Sequence, residues 1–162
     1  MSTDQPVYGV QRLDLKSVEV SPGWSSSMQL RKRHILYIED HEDTRELVTL
    51  VLEERNYQVT SDQTIAGGLT SARSQDFDLY LLDSWLPDGS GVELCQRIRE
   101  FDLHTPILFY SAAAFEVDRE TAINSGAQGY LIKPSHFSEL SELITKLIDE
   151  SQIAKLTANS AG

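Results

Sequence analysis

His34-Ile35-Leu36-Tyr37-Ile38-Glu39-Asp40 is a short apolar run that closes on two acids, and the same arrangement returns along the chain. Leu79-Tyr80-Leu81-Leu82 closes on Asp83, Pro106-Ile107-Leu108-Phe109-Tyr110 on Ser111, and Gly129-Tyr130-Leu131-Ile132 on Lys133-Pro134. Apolar runs this short, bounded by turn or charged residues, have the length of buried strands. Tyr57 to Thr60 supplies one more. Between the strands the apolar spacing changes to that of a helix. Leu47, Leu50 and Val51 mark a first helix, opened by Asp43 with Glu46 three residues on as a capping box. Ile65, Leu69 and Ala72 mark a second. Pro87-Asp88-Gly89-Ser90-Gly91 is turn chemistry that leads into a third helix, carrying Val92, Leu94, Cys95 and Ile98. A weaker helical stretch runs from Ala113 to Asn124 and stops at Ser125-Gly126. Phe137, Leu140, Leu143, Ile144, Leu147 and Ile148 give the clearest amphipathic helix of the chain.

Five strand–helix units with near-continuous apolar strands predict an α/β fold, a parallel sheet covered by helices on both faces. Right-handed crossovers then place all the strand C-termini along one edge, where the functional crevice of such sheets lies. Residues 1–33 are read as a mobile N-terminal extension. They show no sustained period and contain Ser21-Pro22-Gly23-Trp24-Ser25-Ser26-Ser27, which is linker composition. Val18, Val20 and Trp24 are scattered apolar residues within it. Residues 34–150 form the domain, and 151–162, rich in Ser, Thr, Asn and Gly, are read as a frayed C-terminal tail.

Composition narrows the function. The 162 residues, 40% of them apolar, suffice for one core without a staple. A single cysteine, Cys95, excludes an intramolecular disulfide. No apolar run approaches the roughly 18 residues of a membrane helix, and Met1 to Val10 lacks the pattern of a secretory signal. The expectation is a cytoplasmic protein with no membrane partner. Net charge is −11, and residues 1–33 hold five bases and three acids, leaving nine bases against 22 acids for the rest. A domain this acidic is a poor binder of phosphate backbones, so no direct nucleic acid binding is expected. The cluster Arg31-Lys32-Arg33 is read as a solvated flank.

The chemistry collects at the strand ends: Glu39 and Asp40, Asp83, Ser111 and Lys133, one set from each of four strands. A single acid after a strand is an ordinary turn or cap residue. Five polar groups on one sheet edge are not so easily set aside. Two anions about 4 Å apart repel by roughly 1 to 4 kcal/mol, so three carboxylates call for a compensating cation. An all-oxygen donor set suits Mg²⁺, whereas zinc would want Cys or His, and of the histidines only His41 is near this edge. A carboxylate nucleophile, a metal and an ammonium are the equipment of phosphoryl transfer.

Over residues 34–150 the chain resembles the receiver domain of two-component response regulators, the CheY-like superfamily. The segments that carry the resemblance are Ile35-Leu36-Tyr37-Ile38-Glu39-Asp40, Leu81-Leu82-Asp83-Ser84-Trp85-Leu86-Pro87-Asp88-Gly89, Ser111-Ala112, and Gly129-Tyr130-Leu131-Ile132-Lys133-Pro134. It implies a flavodoxin-like (βα)5 doubly wound sheet of strand order 2-1-3-4-5. It also implies that Asp83 accepts a phosphoryl group from a histidine of a sensor kinase or His-phosphotransfer protein. Asp40, Asp83 and the backbone carbonyl of Trp85 would ligate Mg²⁺, with Glu39 acting through water. Lys133 would pair with the phosphoryl group, Ser111 would bond to it, and Tyr130 would turn inward as the switch. Pro134 would follow a cis peptide bond. The chain would then be no enzyme but a phosphoacceptor that assists its own Mg²⁺-dependent phosphorylation and dephosphorylation. It would serve as a stand-alone response regulator or phosphorelay receiver, with output to a downstream protein target, since too few residues follow the last helix for a DNA-binding domain. The family also includes homodimers formed through the fourth and fifth helices.

Three residues depart from the family pattern. Glu39 stands where Asp is more usual, and Trp85 and Ala113 stand two residues after Asp83 and Ser111. Neither Trp85 nor Ala113 can position an attacking water, which implies slow loss of the phosphoryl group. Two enzyme readings fit less well. A haloacid-dehalogenase-type phosphatase needs a second acid where Trp85 stands, and a nucleotide enzyme needs a Gly-rich turn where Glu39-Asp40-His41-Glu42-Asp43 would repel phosphate. The competing reading is a phosphorylation-independent pseudo-receiver, an interaction module of the same fold. Such modules usually lose the phosphoacceptor, the Lys or the paired acids, all of which this chain keeps.

Overall fold

The computed structural model describes residues 31–160. Its main sheet is built from β1 (His34–Ile38), β2 (Gln58–Asp62), β3 (Leu79–Leu82), β6 (Ile107–Ser111) and β7 (Gly129–Ile132). A two-residue hairpin, β4 (Trp85–Leu86) with β5 (Gly89–Ser90), follows β3. The five sheet strands are all parallel and ordered β2-β1-β3-β6-β7. With the hairpin set aside, this is the expected order 2-1-3-4-5, the flavodoxin-like (βα)5 arrangement. The crossovers are α1 (Glu42–Glu54), α2 (Ile65–Ser74), α3 (Gly91–Arg99) and α4 (Glu116–Asn124), and α5 (Phe137–Ser160) closes the fold. No helix among the described residues is long and apolar enough to cross a membrane.

Strand alternation divides the core in two. Leu36, Ile38, Tyr80, Leu82, Ile107 and Phe109 belong to the cluster packed under α2 and α3. Ile35, Tyr37, Leu79, Leu81, Leu108 and Tyr110 belong to the one under α1 and α5. Both faces of the central strands β1, β3 and β6 are buried, which is why these strands read as continuous apolar runs rather than alternating ones.

The first helix corrects the sequence reading. His41, not Asp43, is its N-cap: its Nδ1 accepts from the Thr44 amide at 3.4 Å, and Asp43 lies inside the first turn. The buried stripe is Arg45, Val48 and Leu52, whereas Leu47 and Leu50 are 50% and 55% exposed. Two apolar stripes interleave on this helix, and the angle at which it leaves β1 decides which one faces the sheet. Strand β2 lies one to two residues later than expected, and α4 begins at Glu116 rather than Ala113. Helix α5 runs to Ser160, through the segment expected to fray from Ser151. There Ser151 Oγ donates to the His104 carbonyl at 3.1 Å, and the described side chains beyond it are exposed, so the last turns are tied to the domain at Ser151 and stay helical past it. Arg33, expected in a solvated flank, pairs with Asp149 on α5. The rest of the expected extension, with Val18, Val20 and Trp24, lies outside the described residues apart from 31–33.

Two features of the turn after β3 hold the future site in place. Asp88 reaches the N-terminus of α2, where its carboxylate accepts from the amides of Ile65 (2.8 Å) and Ala66 (3.1 Å). It thereby meets unpaired donors and the positive end of the helix dipole. Gly91 opens α3 directly against the backbone of Asp83, where a Cβ would stand 2.0 Å from the Asp83 carbonyl oxygen and 3.0 Å from the Phe109 ring. No side chain fits there without moving Asp83. Gly91→Ala is therefore expected to destabilise the domain by about 2–3 kcal/mol through overpacking, read as a lower midpoint in urea denaturation.

Candidate functional site

Parity along the strands assigns the site residues to faces. Glu39 continues the side of β1 that carries Ile35 and Tyr37, and Asp83 continues that of Leu79 and Leu81. Lys133 follows Leu131, which packs on the same cluster. The ladder carries past the strand ends, because the amides of Glu39, Asp83 and Lys133 donate to Asp62, Ile38 and Ser111 carbonyls. Three ionisable groups thus gather at the top of the α1–α5 layer. Ser111 and Tyr130 follow Phe109 and pack on the α2–α3 side.

The carboxylates of Glu39, Asp40 and Asp83 each offer an oxygen within 4.8 Å of the others. Glu39 and Asp83 are buried and Asp40 is exposed, so the group sits at the mouth of the crevice rather than sealed beneath it. Lys133 Nζ hydrogen-bonds Glu39 Oε2 and donates to Asp83 Oδ1 at 3.0 Å. The ammonium also stands 5.3 Å from the centre of the Tyr110 ring. Burial alone would push the Lys133 pKa down, but the bond to Glu39 and the charge of Asp83 outweigh it and hold the pKa above the ordinary value. The second oxygen of Asp83, Oδ2, accepts from the Trp85 amide at 2.9 Å, while the indole of Trp85 is 67% exposed.

Several contributors are not marked by any motif. Tyr37 donates its hydroxyl to Glu39 Oε2 at 3.0 Å, and burial together with the Glu39 charge pushes its phenol far up, so it remains a donor. Arg45, on the buried stripe of α1, donates through Nη1 to the carbonyls of Glu39 (2.9 Å) and Asp40 (3.4 Å). It fixes the backbone that presents both acids. Its signal in the sequence is only its register with Val48 and Leu52.

Ser111 and Tyr130 meet through one residue. Ala113 donates its amide to Ser111 Oγ at 3.2 Å and accepts at its carbonyl from the Tyr130 hydroxyl at 2.7 Å. The Tyr130 ring stacks on Phe109 with centroids 5.9 Å apart, and its hydroxyl lies 3.5 Å from Ser84 Oγ. Of the expected residues, Glu39, Asp40, Asp83 and Lys133 thus form one cluster. Ser111 and Tyr130 form an adjoining pair, and Trp85 touches the cluster by its backbone. The Lys133–Pro134 bond is cis, as expected.

Three oxygens from three carboxylates, one of them exposed, are a donor set a hard divalent cation fits, leaving coordination positions to water. Without Lys133 the buried acids Glu39 and Asp83 would face each other unpaired. Lys133→Met is expected to cost about 3 kcal/mol of stability at neutral pH in urea denaturation. Adding Glu39→Gln should recover part of that loss by removing one of the stranded charges.

Residues 35–145 match a family model described as the response regulator receiver domain. The response regulator ArlR of Staphylococcus haemolyticus is 35% identical over 107 residues, 66% of this chain and 48% of the relative. The chain spans about half the length of the curated relatives it matches. A CheY-like response regulator receiver domain protein from Methanospirillum hungatei superposes with a TM-score of 0.73 at 26% identity, covering 76% of this chain and 98% of the other. The receiver domain of the sensor histidine kinase PA1611 from Pseudomonas aeruginosa, with a magnesium ion coordinated in its active site cleft, does so with a TM-score of 0.69 at 28% identity, over 73% and 98% of the two chains. Fold, strand-end cluster and sequence agree: this chain belongs to the response regulator receiver domain family of two-component signalling.

Proposed function

We propose that the chain is a phosphorylation-dependent switch in which Asp83 is the phosphoacceptor. The observation that carries this reading is the Lys133 ammonium bound to both Glu39 and Asp83, beside three carboxylates whose oxygens lie within 4.8 Å of one another. A structural ion pair needs one acid; this ammonium has two, with a third next to them.

A carboxylate oxygen of Asp83 attacks the phosphorus of a phosphohistidine on a sensor kinase or His-phosphotransfer protein. The new P–O bond forms as the P–N bond breaks, and the imidazole leaves with the electron pair and takes a proton from solvent. Lys133, already 3.0 Å from Asp83, is placed to neutralise charge on the transferred oxygens. Asp40, Asp83 and the Trp85 carbonyl are the ligands we assign to Mg²⁺, with Glu39 reaching it through water. When bound, the ion supplies positive charge for the oxygens of the phosphoryl group. The magnesium ion in the active site cleft of the PA1611 receiver domain supports a Mg²⁺ site in the corresponding cleft. Ser111 bonds the phosphoryl group once it is formed, and the Ala113 link carries that change to Tyr130. Output then runs to a downstream protein target through the surface around Tyr130. The chain acts as the receiver of a two-component or phosphorelay system, and it is a phosphoacceptor assisting its own modification rather than an enzyme with a separate substrate.

Two experiments test the reading. Incubation with acetyl phosphate and Mg²⁺ should add the mass of one phosphoryl group to the wild type and nothing to Asp83→Ala. A wild type that gains no mass would favour the pseudo-receiver. Separately, Trp85→Asn should speed phosphate loss several-fold in a timed decay with Mg²⁺ present, because an amide can orient water where the indole cannot. An unchanged or slower decay would remove Trp85 from the control of lifetime.

A further inference from the structure

Glu39 carries one methylene more than Asp, and it is 2% exposed. A longer carboxylate in a closed space must be held by something, or it has more than one place to go. Residue 37 lies two positions back on the same strand and so on the same face, and there the side chain is Tyr, fully buried. Its hydroxyl meets Glu39 Oε2 at 3.0 Å, and Lys133 meets the same oxygen. The other oxygen, Oε1, takes only a longer bond, 3.3 Å from the His41 amide. The two ends of the carboxylate are therefore unequal: Oε2 carries two side-chain donors and Oε1 a single long amide bond.

We propose that Tyr37 is a positioning residue for the cation site: with Lys133 it occupies Glu39 Oε2 and so presents Oε1 toward Asp40 and Asp83. The inference rests on the magnesium assignment made above. Tyr37 touches no metal and no phosphoryl group; it acts through Glu39 alone. It answers the extra methylene, because an Asp at position 39 would end a bond short of the hydroxyl. Partners that orient a direct ligand typically change metal affinity about 10- to 100-fold when removed, and because Glu39 reaches the ion through water the effect of Tyr37 belongs at the low end of that range.

The test is a double-mutant cycle on the full chain, with Mg²⁺ binding read by isothermal titration calorimetry. Tyr37→Phe removes only the hydroxyl and is expected to weaken Mg²⁺ binding about tenfold. In a Glu39→Asp background the same substitution should change affinity by less than about twofold, since the shorter side chain no longer meets the hydroxyl. Equal losses in both backgrounds would mean that Tyr37 acts through general packing, and would overturn the inference. So would an unchanged affinity in Tyr37→Phe while the wild type binds Mg²⁺; that result leaves the magnesium assignment standing. A wild type that shows no Mg²⁺ binding overturns the assignment and the inference together. A second readout does not depend on the Phe variant folding. The isotope-labelled Tyr37 ring resonance should shift on Mg²⁺ addition in the wild type and stay still in Glu39→Asp; a resonance unmoved in the wild type counts against the proposal.

Discussion

The arrangement depends on one ammonium shared between two buried carboxylates. Glu39 and Asp83 come from different strands and would repel each other at the top of a dry layer, where little water screens them. Lys133 enters from a third strand and satisfies both. The sheet order puts these three strand ends on one edge, so the electrostatic problem and its solution are both products of the topology. Buried ion pairs rarely add net stability, because desolvation takes back what the attraction gives. Their value here is placement: the charges can rest only where each meets another.

The sheet also separates two jobs. Glu39, Asp83 and Lys133 follow the strand faces packed on α1 and α5, with Tyr37 and Tyr110 beneath them. Ser111 and Tyr130 follow the other face, and Tyr130 leans on Phe109. The ionisable groups stand on one side of the sheet and the Ser111–Tyr130 pair on the other, and the loops after β1 and β3 carry the acids. Those loops are pinned from below. Gly91 lets α3 start against the Asp83 carbonyl, Asp88 caps α2, and Arg45 holds the carbonyls of Glu39 and Asp40.

Much of this was legible in the sequence, and the reason is local. A strand buried on both faces must be apolar throughout, so the first polar residue after each run marks the strand end, and Asp83 and Ser111 are found by that rule alone; Lys133 follows an edge strand that is apolar though only half-buried. Helix α2 was equally plain, because Ile65, Leu69 and Ala72 form its one apolar stripe. Helix α1 was not. Leu47 and Leu50 compete with Val48 and Leu52, and only the packing angle chooses between them. Arg45 was missed for the same reason: a charged residue on a buried stripe looks like a surface residue until its carbonyl partners are in place. Tyr37 read as one more apolar strand residue, since nothing in a linear sequence says that its hydroxyl ends beside a glutamate. The last turns of α5 were hidden by composition, because a Ser- and Thr-rich segment gives no sign that Ser151 is tied to the His104 carbonyl at its start.

In the proposed switch, the Ala113 link is the path by which a change at Ser111 would be felt at Tyr130, on the same side of the sheet. Its amide is held by Ser111 Oγ and its carbonyl by the Tyr130 hydroxyl, so a single peptide segment carries a hydrogen bond at each end. Ser111 Oγ cannot turn toward a new partner and keep its geometry to Ala113 unchanged. In that switch, movement of Ala113 would alter the bond that anchors the Tyr130 hydroxyl. Such a device transmits only as much as the modification distinguishes the two arrangements, because a group that binds both equally shifts neither. That requirement falls on Ser111, whose side chain is fully buried, so a bond gained there is made within the space it already holds. The hydroxyl has capacity for this: it accepts from Ala113 while retaining its own proton to donate.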